Sequence, residues 1–189
     1  MESMLGIFSA FGLSASAGLN AYIPLLVVAL MARFTNLVKL NPPYDLLSNW
    51  WIIGLLVVLS LVEFLVDKIP AIDHINDFVV QTFVRPAAGT IVFAASTNVV
   101  TDINPVLALA LGLLMAGSVH AVKSVAVRPA VSAATAGVGD VPVSFAEDVT
   151  STTLSVMSIV VPVVVMILVV LFFTWVFWFL FLREKPEKV

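Results

Sequence analysis

Two stretches of this chain carry no charged side chain over a bilayer's width or more: Ser3 to Ala32, 30 residues, and Val149 to Leu182, 34 residues. A helix needs about 20 apolar residues to cross the hydrocarbon core. Both stretches exceed that with room for tilt, so the chain is expected to be an integral membrane protein. Of its 189 residues, 61% are apolar and 11% charged, against about 25% charged in a soluble domain. That deficit leaves too little polar surface for a water-facing coat, and lipid becomes the expected solvent. Strand-like alternation is missing from the apolar runs, which argues against an outer-membrane barrel. Helices, which satisfy their own backbone groups, are the remaining spanning element. The expected fold class is therefore all-α, a polytopic membrane helix bundle of four to six segments in one domain covering 1–189.

Four spans are expected, at 4–32, 48–66, 105–122 and 146–182. In the first, Ala10, Ser14 and Gly18 recur every fourth position and offer a small-residue face for close helix contact. Pro24 removes the hydrogen bond to the Asn20 carbonyl. The segment is either a packing face with a kink or a broken helix whose freed backbone groups line a site. Arg33, Lys39, Asn41, Pro42, Pro43 and Asp45 mark a loop, and Trp50 and Trp51 open the second span as an interfacial belt. Along the third span Ala108, Gly112, Ala116 and His120 form a small stripe ending in an imidazole. Ser144 and Glu147 are spaced as a capping box, so the last helix is expected to begin near Ser144, with a kink at Pro162.

Residues 69–83 read differently. Ile72, Ile75, Val79 and Phe83 recur at spacings of three or four, with Asp73, His74, Asn76 and Asp77 between them, as in an amphipathic helix lying at the interface.

Val84-Arg85-Pro86-Ala87 returns as Val127-Arg128-Pro129-Ala130. Each copy is followed by a short small-residue segment, 86–100 and 129–139, and the two are read as an internal repeat. Proline favours the first position of a helix, which would place Arg85 and Arg128 at the N-terminal ends of two short helices. Such ends are electropositive and carry free N–H groups, and a guanidinium there suits a carboxylate or phosphate. Paired short helices of this kind, re-entrant within the membrane, are one way transporters build a substrate site. The competing readings are interfacial anchoring of both arginines and internal salt bridges with the acids of the middle segment.

Glu63, Asp67, Arg85, His120, Lys123 and Arg128 abut apolar runs, and an ionisable group at membrane depth is a functional candidate with a partner expected. Glu63 and Asp67 share a helix face at i, i+4, as His120 and Lys123 do at i, i+3. The candidate site is thus Arg85 and Arg128 for an anion, Asn20 and Pro24 lining its path, and Glu63, Asp67, His120 and Lys123 for proton coupling. Arg183, Lys185 and Lys188 favour a cytoplasmic C-terminus, while Arg33 and Lys39 favour a cytoplasmic first loop. Both hold only for an external N-terminus and an odd number of crossings, so 86–100 is expected as the extra crossing with 129–139 re-entrant.

Several classes are disfavoured. There is no cysteine, hence no thiol metal site. No HExxH, Gly-x-Ser-x-Gly or phosphate-loop pattern occurs, so no enzyme, cofactor or metal is expected. The net charge of −3 gives no footprint for nucleic acid. Membrane lipids, an anionic small molecule and a second copy meeting through small-residue faces are the expected partners.

The run Gly12-Leu13-Ser14-Ala15-Ser16-Ala17-Gly18-Leu19-Asn20-Ala21-Tyr22-Ile23-Pro24-Leu25 resembles the opening helix of a bacterial membrane family catalogued as domain of unknown function 4126 (DUF4126). The segment Arg85-Pro86-Ala87-Ala88-Gly89 is similar to that family too. The resemblance implies a small polytopic inner-membrane protein and carries no activity or site residue with it. The function expected is a small transporter or channel-like protein for an anionic or phosphate-bearing solute. The alternative is a non-transport scaffold or lipid-headgroup-binding assembly factor.

Overall fold

The structure, a computed structural model, describes residues 2–68, 81–97 and 103–179. Among these residues the chain is all-helical. The helices are α1 (Glu2–Leu19), α2 (Tyr22–Phe34), a 3-10 turn (Tyr44–Ser48), α3 (Trp50–Val66), α4 (Gln81–Thr97), α5 (Pro105–Val122), a π-turn (Lys123–Val127), α6 (Arg128–Thr135), α7 (Asp140–Val160) and α8 (Pro162–Phe177).

The first charge-free stretch is two passes rather than one kinked span. α1 stops at Leu19 and the chain reverses through Asn20 and Ala21 into α2. Leu25 and Val28 consequently share a core with Leu13 and Ala17, and Tyr44, just beyond α2, reaches the cluster of Ala10 and Phe93 near the start of α1. Asn20 makes the turn affordable: its Oδ1 accepts the N–H groups of Tyr22 and Ile23, at 3.2 and 3.1 Å, two of the donors that a helix start leaves open. Pro24 falls in the first turn of α2, where its missing N–H costs nothing.

The second charge-free stretch is likewise a hairpin. Val161, at φ −136° and ψ 63°, ends α7, and Pro162 opens α8. Near this turn Gly12 faces both Ser158 and Val165. At the other end Phe172 of α8 lies beside Ala146 and Thr150 of α7. Pro162 therefore reverses the chain where a kink was expected.

α1 is the axis of the bundle, with α4, α5, α7 and α8 packed round it. Where α1 is enclosed on every side its residues are small but for Leu13: Gly12, Leu13, Ser14, Ala15, Ser16, Ala17 and Gly18 are all buried. The expected stripes meet: Ser14 Oγ donates to the carbonyls of Gly89 and Gly112 at 3.2 and 2.9 Å. A Cβ on Gly112 would come within 2.6 Å of the Gly89 carbonyl oxygen, so this crossing of α4 and α5 requires glycine.

The Arg-Pro segments differ from expectation. Arg85 lies inside α4, four residues beyond its first residue, and Pro86 is a helix-interior proline. Arg128 follows the π-turn without interruption, and Pro105–Thr135 forms one continuous 31-residue helical stretch. Neither arginine caps a free helix start, and 129–139 is the end of that long stretch plus a turn, so the two short Arg-Pro-initiated helices are not formed. The stretch ends just beyond Thr135, where Ala136 and Gly137 take left-handed φ of 51° and 85°. Of the expected interfacial helix, residues 69–80 lie outside the described residues, and Gln81 to Phe83 open α4; residues 98–102 and 180–189 also lie outside.

The hairpins change the topology as well. Arg33 and Lys39 return to the end of the bundle where α1 begins, whereas α8 finishes at the opposite end. Arg183, Lys185 and Lys188 lie outside the described residues.

Pro105–Thr135 is long and apolar enough to cross a membrane by length and composition. The distribution of side chains is inverted relative to a water-facing bundle. Leu55, Val58, Leu61 and Leu65 on α3 and Ile167, Leu168 and Leu171 on α8 are exposed, while Glu63, Asp67, Arg85, Lys123, Arg128 and Asp148 are buried.

Candidate functional site

The α1–α2 reversal removes two backbone groups from helical bonding, and both are taken up by charged side chains. The Ala21 N–H, which would otherwise turn back into α1, donates to both carboxylate oxygens of Glu63, at 3.3 and 3.2 Å. The Leu19 carbonyl accepts from Lys123 Nζ at 3.3 Å. The tip is wholly enclosed, with Asn20 1% and Ala21 0% exposed. A buried peptide group without a partner costs about 1–3 kcal/mol, so these contacts are what allow the chain to turn inside the protein.

Charges spread outward from that tip. Arg85, 0% exposed, donates from Nη2 to Glu63 at 3.2 Å and to Asp67 at 3.4 Å. The i, i+4 spacing predicted for these two acids is what lets one guanidinium engage both. Arg85 Nη1 lies 3.3 Å from His120 Nδ1. A guanidinium has only donors, so Nδ1 is the acceptor and the ring proton belongs on Nε2.

Two further groups complete the layer. Glu147 on α7 binds Lys123 at 3.1 Å and Arg128, whose Nη2 is 2.5 Å away and whose Nε is 3.2 Å away. Asp148 accepts from Lys68 Nζ at 2.7 Å and from Asn20 Nδ2 at 3.0 Å. Lys68 also donates to Ser144 at 2.9 Å and sits 4.1 Å from the centre of the Phe64 ring. Ser144 and Glu147 thus serve the charge layer, and α7 begins at Asp140 instead of at the expected capping box.

The π-turn explains how one carboxylate reaches two cations five residues apart. On an α-helix, five residues turn through about 500°, leaving the side chains roughly 140° apart. Here the Arg128 N–H bonds the Lys123 carbonyl, an i+5 closure, and such a wider turn restores a common face. The turn also falls just before Pro129, whose ring would clash with the carbonyl four residues back in a regular helix.

Seven of the eight residues expected from sequence at the site meet in this layer through direct contacts: Asn20, Glu63, Asp67, Arg85, His120, Lys123 and Arg128. Pro24 is buried one turn beyond the tip and contributes shape. Sequence reasoning missed Lys68, Ser144, Glu147 and Asp148 as members. The signal was the row Ser144, Asp148, Ser151, Ser155 and Ser158, at spacings of three and four within α7 and all buried. That row faces α1, where Ser16 Oγ lies 2.8 Å from Ser151 Oγ and 2.7 Å from Ser155 Oγ. The layer also lies at one end of the bundle core, where α1, α3 and α5 finish, rather than midway along it.

Among the described residues no group of three or more His, Cys, Asp or Glu side chains is placed to hold a metal ion. What the layer can do chemically is exchange partners. Four cations and four carboxylates stand in it, so a proton gained by one acid changes which partner a neighbouring guanidinium can take.

Fold and site together define an all-helical bundle with an inward-facing charge layer at a buried helix reversal. The chain belongs to the family described as Domain of unknown function (DUF4126), whose model matches residues 7–182. No curated protein and no solved structure matches it.

Proposed function

We propose that this is an integral membrane protein, of bacterial inner-membrane type, that moves an anionic or phosphate-bearing solute through its charge layer. The inverted distribution of side chains supports placement in lipid, since apolar residues face outward on α3, α5 and α8. The observation that carries the transport reading is the layer itself. Arg85, Lys123, Arg128 and Lys68 are held by Glu63, Asp67, Glu147 and Asp148 around an enclosed backbone reversal.

Such a layer suggests a coupling rule. An uncompensated charge is expensive at membrane depth, so an entering anion must be matched. Protonation of Glu63 or Asp67 would release Arg85 to the solute and leave the total charge unchanged. Proton and anion would then travel together, with Asn20 and Ala21 at the point of exchange and His120 beside the guanidinium.

The second reading is a non-transport scaffold. It is favoured by one specific observation, that Arg85 is bracketed by two carboxylates of its own chain. The test is uptake into sealed proteoliposomes with inorganic phosphate, acetate and dodecyl phosphate as probes and a lumenal pH dye. Transport predicts proton entry that follows at least one of these anions and disappears in Arg85→Gln. Folded wild-type protein that moves none of the probes and no protons above empty liposomes would leave the scaffold.

A further inference from the structure

A pocket of about 200 Å³ opens on the side of the bundle between α5, α7 and α8. Its walls are Val119, Val122, Val127, Val143, Ala146 and Phe172, and its charged members are Lys123 and Glu147. Leu19, whose carbonyl Lys123 holds, also lines it, so the pocket ends at the α1–α2 reversal. Val127 and Phe172 are 42% and 37% exposed, whereas Lys123 is 2% exposed, which places the mouth on the flank of the helices and the ion pair inside.

We infer that this pocket takes the anionic head and first methylenes of a single-chain amphiphile, a long-chain phosphate or carboxylate, entering sideways from the bilayer. The inference deepens the transport reading above, on which its functional consequence rests, by naming the class of solute. Three features support it. The volume is far above the roughly 10–15 Å³ that admits one water and below the roughly 300–1,000 Å³ that encloses a drug-sized ligand. It therefore suits one end of a longer molecule whose remainder stays in lipid. The walls are almost wholly aliphatic and aromatic, which rewards methylene groups and gives a small hydrated anion nothing for the water it would lose. At the inner end, Lys123 and Arg128 both engage Glu147, so an incoming phosphate or carboxylate meets cationic donors that already hold a carboxylate by the same geometry. A proton on Glu147 would hand that place to the ligand.

The experiment uses the purified full chain in nanodiscs of zwitterionic lipid, titrated with dodecyl phosphate or with inorganic phosphate. Thermal stabilisation and calorimetric binding are the readouts. The wild type is expected to bind dodecyl phosphate and to ignore inorganic phosphate at the same concentration. Ala146→Trp, which places a large ring in the pocket from an exposed position, should weaken binding about tenfold or more, equivalent to about 1.4 kcal/mol. Gly54→Ala on α3, outside the pocket and with open space around the added methyl, should bind as the wild type does. Undiminished binding by a folded Ala146→Trp variant, or equal binding of inorganic phosphate, would overturn the inference. Binding of dodecyl phosphate without its passage between leaflets would uphold the pocket while removing the transport reading. Uptake of inorganic phosphate without dodecyl phosphate binding would do the reverse.

Discussion

The two halves of the α1 axis are built on opposite principles. From Ala10 to Gly18, α1 is packed by contact: a Cβ on Gly12 would run into Ser158 and Val165, one on Gly18 into the Ala116 carbonyl and Val119, and one on Gly89 into Ser14. From Leu19 to Ala21 the same axis is held by charge, through Glu63, Lys123 and, by way of Asn20, Asp148. The first half is sensitive to volume and indifferent to formal charge. The second is sensitive to the balance of charge, because each ion there is held by a partner on another helix. Close packing can fix where helices cross, whereas the charged end holds the groups to which the proposed transport role is attached.

The largest expected effect is at Arg85. Replacement by Met would leave Glu63 and Asp67 buried beside each other without their shared cation. Removing one partner of a buried ion pair typically costs about 3–5 kcal/mol. Denaturant or thermal unfolding in detergent should show a loss of that order, and a fall below about 1 kcal/mol would mean that the layer is far wetter than its burial implies.

On the packed half, Gly112→Ala should cost about 1–3 kcal/mol through overpacking, since the new methyl meets the Gly89 carbonyl oxygen and Thr90 Cα. The same assay reads it. A neutral result would show that α4 and α5 separate easily and that the contrast between the halves is overstated.

Asn20→Ala lies on the boundary and should cost about 1–2 kcal/mol, the usual range for a lost helix cap. Hydrogen exchange should then quicken at the Tyr22 and Ile23 amides first, which the Asn20 side chain receives. Smallest of all is Gly54→Ala on α3, where nothing lies within 4 Å of the added methyl. Alanine is favoured over glycine within a helix by about 0.5–1 kcal/mol, so a slight gain in stability is expected.

Much of this contrast was legible in the sequence, because each half has a local signature. The small stripes Ala10-Ser14-Gly18 and Ala108-Gly112-Ala116 announced close packing, and they do face one another's neighbours. Glu63, Asp67, Arg85, His120, Lys123 and Arg128 announced themselves by abutting apolar runs. The reversals were hidden for a physical reason. A stretch without charge shows that a segment can sit in lipid, and says nothing of how often it turns there. Asn20 and Pro24 left a kink and a break both open, because hydrogen bonding by a side chain to the next two amides leaves no trace in hydropathy. Val161 has no signature beyond the proline that follows it. The arginines were misplaced at helix starts because proline is favoured there, whereas α4 tolerates Pro86 inside and a π-turn accommodates Pro129. The membership of Glu147 and Asp148 was missed because a pair of acids just before an apolar run looks like the water-facing start of a helix.

The most direct test of the charge layer as one coupled unit is a double-mutant cycle between Arg85 and Glu63, read by unfolding free energy in detergent. Single variants Arg85→Met and Glu63→Gln and their combination suffice. Coupling predicts that the double variant is more stable than the sum of the single losses implies, by about 2 kcal/mol or more, within the 0.5–3 kcal/mol seen for groups in one network. Losses that simply add, to within about 0.5 kcal/mol, would contradict a shared buried layer and with it the exchange of partners on which the functional account depends.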